Sequence, residues 1–76
     1  MSLQLVIQAH SAAAIELALG VIVFQSEVFP MGPGKFGLVV PTKVLEVTGE
    51  EALLRALQSL VYFDLWAGRW HTPGSA

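Results

Sequence analysis

The chain contains no cysteine, so it has no disulfide staples and no thiolate metal ligands, and its redox compartment is left open with a cytoplasmic setting as the default expectation. Charge is scarce too. Only 13% of the 76 residues are Asp, Glu, Lys or Arg, about half the usual fraction of about 25%. The four basic residues, Lys35, Lys43, Arg55 and Arg69, are scattered, and the net charge is −2, which argues against a nucleic-acid footprint. There is no long hydrophobic run. The most apolar window, residues 12–24, is interrupted by Glu16 and falls short of the about 20 apolar residues that span a bilayer. Met1-Ser2-Leu3-Gln4 has no basic region of the kind that opens a secretory signal.

Apolar side chains are plentiful, at 54% of the residues. A domain of this size buries only about 60% of the surface its unfolded chain exposes, so one core cannot absorb them all. An apolar face covered by a second copy, another subunit or a larger ligand is therefore expected.

The centre of the pattern is residues 20–47, where two β-branched runs, Val21 through Phe29 and Phe36 through Val40, flank Pro30-Met31-Gly32-Pro33-Gly34-Lys35. Val, Ile and Phe suit a pleated, half-buried surface and a Gly/Pro cluster marks the reversal, so this reads as a β-hairpin. Before it, Leu3, Leu5, Ile7 and Ala9 alternate with Gln4, Gln8 and His10, a strand pattern with Val6 as the apolar residue on the wetter side. A helix over residues 2–19 is the rival. Ser11 is placed to cap a short helix over residues 12–19, which Gly20 would end. After Val40, Pro41 cannot donate to a ladder, and residues 42–47 resume a β-like run. Thr48-Gly49-Glu50-Glu51 fits a capping box, predicting a helix from Gly49 to Leu65 or Trp66 with Leu53, Leu57, Leu60 and Val61 inward. Residues 69–72 have room for a short final strand, and residues 73–76 read as a loose tail after a single domain over 1–72.

Strand, helix, strand, strand, helix and a short last strand is the element order of a ferredoxin-like split βαβ sandwich, an α+β fold whose antiparallel sheet carries both helices on one face. On this reading the other sheet face would present Val21, Val23 and Phe29, where the surplus apolar surface can go.

Motifs for chemistry are few. Gly32-Pro33-Gly34-Lys35 lacks the spacing of a phosphate-binding loop, because Lys35 is followed by Phe36 and a strand, so its glycines are read as turn residues. His10 and Glu16 are the best polar pair, Glu16 orienting His10 as a general base if the loop joins them, and Glu27 is a third catalytic candidate. No two of His10, Glu16, Glu27, Asp64 and His71 stand at helical ligand spacing, so no metal is expected, and no cofactor. Tyr62, Phe63, Trp66 and Trp70 form an aromatic cluster, with Trp66 and Trp70 expected at an interface.

The composition thus points to a small non-enzymatic association module, a homo-oligomer or an accessory subunit of a larger assembly. The alternative is a small-ligand protein or enzyme of the dimeric ferredoxin-like type, with a pocket near His10 lined by Phe24, Val40 and Trp66. RNA binding through the open sheet face ranks last, since Phe36-Gly37-Leu38-Val39-Val40 matches an RNA-recognition strand only loosely and has one nearby lysine.

Overall fold

A computed structural model of the chain describes residues 2–73, with the side chain of Val23 left outside the description. Residues 74–76 of the expected tail lie outside the described residues. Strand β1, Leu3–Gln8, follows its alternation: Leu3, Leu5 and Ile7 are buried, Gln4 and Gln8 are exposed, and Val6 is half-buried. Helix α1, Ala12–Leu19, comes next and buries Ile15 and Leu19. Gly20 ends it at φ 60°, its N–H donating to the Glu16 carbonyl. Ser11 precedes the helix in extended conformation, but its hydroxyl makes no capping bond. Strands β2, Glu27–Gly32, and β3, Lys35–Val40, form a hairpin where one was expected, but its turn is only Pro33-Gly34, so Pro30-Met31-Gly32 and Lys35, read as the connection, are strand residues. Two helices follow, α2 over Thr42–Thr48 and α3 over Glu50–Leu57, then strands β4, Val61–Asp64, and β5, Arg69–His71.

The chain is therefore α+β, with a five-stranded sheet in the order β2-β3-β1-β4-β5 and every neighbouring pair antiparallel. Leu3, Leu5 and Ile7 of β1 join Leu38 and Val40 of β3, Tyr62 of β4, and the buried helix residues Ile15, Leu19, Val44, Leu53 and Leu57 in one core. Six of these are essentially inaccessible aliphatic side chains of Leu or Ile, together with Val40. Burying each fully contributes about 1.5–3 kcal/mol.

Three longer segments also differ from the sequence-based expectation. Residues 21–25, read as the start of the hairpin's first arm, belong to a 3-10 helix, Gly20–Gln25, after which the Ser26 hydroxyl donates back to the Ile22 carbonyl at 3.0 Å. The reason lies in the partner strand. Glu27 already pairs with Val39, so a longer β2 would need residues 41 onward as its mate, and Pro41 both lacks an N–H and opens α2. Residues 42–48 are helical despite their β-branched content, because Val44 and Leu45 reach the core together from a helix. Thr48 is thus the last residue of α2 and not an N-cap. Gly49, at φ 89°, separates the two helices, receives no side-chain cap, and leaves Glu50 and Glu51 in the first turn of α3.

Helix α3 also stops at Leu57, well short of Leu65 or Trp66. Val61-Tyr62-Phe63 pairs instead with Gln8-Ile7-Val6, which satisfies the second edge of β1. Without β4 the central strand would present a row of unpaired backbone groups.

Candidate functional site

Alternation along each strand sends one set of side chains into the core and the other to the opposite face. In the observed register, Phe29 of β2 stands opposite Gly37 of β3, Gly37 opposite Val6 of β1, Val6 opposite Phe63 of β4, and Phe63 opposite Trp70 of β5. These five positions form one row across all five strands, on the face away from the core. Val6 and Phe63 are half-buried, while Phe29 and Trp70 are 43% and 51% exposed. The Phe63 and Trp70 rings meet edge to face with centroids 5.3 Å apart, a favourable cross-strand aromatic pair.

Gly37 is part of the device. A Cβ built there would lie 2.5 Å from Phe29 Cζ and 3.0 Å from Met31 Sδ. The Phe29 ring therefore lies over the β3 backbone, filling the place a side chain would take and joining β2 to the rest of the row. Half-buried Val39 and Val61 widen the apolar band. Its margins carry polar residues among apolar ones, with Glu27 and Gln4 flanking Val39 toward one end of the strands and Lys35 and Gln8 level with Val61 toward the other. The sheet edges are less suited to association: β2 carries Pro30 and a register irregularity between Pro30 and Gly32, and β5 has three residues.

Further large apolar side chains, Leu17, Val21, Phe24 and Val47, are strongly exposed on α1, the 3-10 helix and α2.

A recess of about 340 Å³ is lined by Leu54, Tyr62, Asp64, Ala67, Arg69, Trp70 and His71. The Tyr62 and His71 rings stack at 4.8 Å. The Gln58 carbonyl lies 3.2 Å from His71 Nε2, a bond in which Nε2 carries the proton. Asp64 Oδ1 accepts from the Trp66 and Ala67 N–H groups at 2.8 and 3.1 Å, tying the turn that carries the chain from β4 to β5. Burial, and secondarily the Asp64 carboxylate, push the Tyr62 hydroxyl above its ordinary value. A neighbouring recess of about 360 Å³ is lined by Leu3, Leu45, Glu50, Asp64 and Trp66 among others.

The residues singled out from sequence are dispersed. His10 is exposed just beyond β1, Glu16 is exposed on α1, and Glu27 is exposed at the start of β2. No hydrogen bond or ion pair among the described residues links them. Glu27 stands level with Gln4 while His10 lies beyond Gln8, so at least about 13 Å of strand separates the two. His10 lines neither of these recesses. Of the residues assigned to the open sheet face, Phe29 is there, whereas Val21 and Val23 belong to the 3-10 helix, and the Val23 side chain is outside the described residues. Trp70 is in the row. Trp66, 65% exposed, sits in the β4–β5 turn and not at a helix end. Sequence reasoning missed Val6, Gly37 and Phe63 as members of one surface. The only local signal was Val6 as an apolar residue on the wetter side of β1.

Comparison with protein-family models, with curated proteins and with solved structures finds no match for this chain. Among the described residues, no group of three or more His, Asp or Glu is placed to hold a metal ion, and no helix is long and apolar enough to cross a membrane.

Proposed function

We propose that this chain is a small association module of the ferredoxin-like type, a homo-oligomer or accessory subunit that binds a protein partner through the sheet face away from its core. The strand order, with β5 added beyond β4, supports that fold, as does a single core joining the helices to one set of strand residues. The observation that carries the functional reading is the row Phe29, Gly37, Val6, Phe63 and Trp70, contiguous across five strands and rimmed by Glu27, Gln4, Gln8 and Lys35. Monomers rarely leave so continuous an apolar band uncovered. One lysine and one glutamate, at opposite ends of the face, supply no track of positive charge for a nucleic-acid backbone.

Light scattering after size exclusion, with retention on a phenyl matrix, tests this on wild type, Phe63→Arg and Trp70→Ala, with circular dichroism as the check of fold. The expected result is an oligomer that these variants dissociate, or a monomer whose phenyl retention they reduce. A wild-type monomer whose retention neither variant alters would refute the reading.

A second reading, binding of a small polar ligand, rests on the recess that Tyr62, Asp64, Arg69 and His71 help to line. Ligand screening by NMR, following the His71 and Tyr62 ring signals, separates it from the first.

A further inference from the structure

We infer that the occupant of the apolar face is a second copy of this chain, packed sheet on sheet about a two-fold axis that runs along the row from Phe29 to Trp70. The inference rests on the association reading and names its partner. Rotation about that axis keeps each strand over its own copy and exchanges the two ends of the strands. Phe29, Val6, Phe63 and Trp70 then lie on the same residues of the partner, across the about 10 Å that separates packed sheets.

The rim decides the choice of axis. Glu27 pairs with Val39 toward one end of the sheet, whereas Lys35 pairs with Gln8 toward the other. Neither makes an ion pair among the described residues of its own chain, where the recorded pair is Arg55–Glu51. Exchange of ends brings Lys35 over the partner's Val39, one strand spacing, about 4.8 Å, from the partner's Glu27. The lysine stem can lie along valine while its ammonium reaches the carboxylate, and symmetry makes this contact twice. Gln4 meets the partner's Gln8 in the same way. An axis parallel to the strands would instead place Lys35 over the partner's Val61, with no carboxylate opposite, and would set unlike ends of the row together.

The area fits a weak dimer. Three strands of six residues, one of four and one of three, at about 3.3 Å per residue and about 4.8 Å between strands, give a face of roughly 400 Å². Two such faces bury roughly 800 Å² in projection, below the about 1,000 Å² that specific interfaces clear, so a dissociation constant in the high micromolar range is expected.

Sedimentation equilibrium of the full chain from about 1 to 300 µM tests the arrangement. Wild type should dimerise with concentration, Glu27→Lys and Lys35→Glu should each weaken the dimer about tenfold, and the double reversal should return it to within about threefold of wild type. Phe24→Gln, in the 3-10 helix, should leave it unchanged. A double reversal as weak as the product of the singles overturns the axis. Loss of the dimer in Phe24→Gln but not in Phe63→Arg overturns the face, and the association reading with it. A wild-type monomer throughout the range overturns the second copy alone if phenyl retention still depends on Phe63, and both readings if it does not.

Discussion

Gly37→Ala separates the fold of one chain from the shape of its apolar face. The new Cβ would fall 2.5 Å from Phe29 Cζ and 2.6 Å from Cε2, so the ring must retreat by about 1 Å to reach ordinary contact. The obstructing atoms are the far end of a side chain on an edge strand, which leaves the β3 backbone and its pairing with Val6 in place. Two terms then nearly cancel in the monomer. Alanine in a strand gains about 0.5–1 kcal/mol over glycine, and lifting the ring re-exposes about 40 Å² of it, or about 1 kcal/mol. The monomer should therefore keep its stability to within about 0.5 kcal/mol by urea unfolding of dilute protein. In the proposed dimer each raised ring meets its counterpart, and gaps of about 0.5–1 Å forfeit a quarter to a half of each contact around it. A loss of about tenfold in dimer affinity is expected by sedimentation equilibrium. In a Phe29→Ala background the same substitution has nothing to displace, so it should stabilise the monomer and leave the remaining affinity unchanged. Unfolding of Gly37→Ala would show that the glycine serves the backbone. A full-strength dimer would show that the row is not the contact.

Ile7→Ala opens a cavity at the centre of the central strand, where the side chain is fully buried, and should cost about 2–5 kcal/mol, enough to leave much of so small a domain unfolded in urea titration. Thr48→Ala should change the thermal midpoint little, since no cap of α3 comes from it, whereas Gly49→Ala forces a side chain to φ 89° and should destabilise by about 1 kcal/mol or more. The Tyr62 hydroxyl has a folded pKa above its unfolded value of 10.0, so the folded state holds this proton more tightly. Its contribution to stability is complete below about pH 10 and is lost as the pH rises through the folded value. The midpoint of wild type should therefore fall more steeply above about pH 10 than that of Tyr62→Phe, and parallel curves would remove Tyr62 as the cause.

The elements legible in the residues alone were local ones. The alternation of Leu3, Leu5 and Ile7 against Gln4 and Gln8 specified β1 and its inward face, and alanine-rich residues 12–19 before Gly20 specified α1. Gly and Pro between apolar runs specified the β2–β3 hairpin, Glu50 and Glu51 marked the first turn of α3, and Arg69-Trp70-His71 was legible as a last strand. None of these elements needs a distant partner to be recognised. Residues 20–25, 42–48 and 61–64 did, because β-branched and aromatic runs suit a strand only where another strand has free backbone groups to offer. Residues 20–25 meet no mate beyond Pro41 and coil into a 3-10 helix, while Val61-Tyr62-Phe63 meets the open edge of β1 and leaves the helical period that Leu53 and Leu57 had set. The candidate surface belongs wholly to that second category. Phe29, Gly37, Val6, Phe63 and Trp70 are spread over 65 positions of the chain, and only the register of four strand pairings brings them into one row.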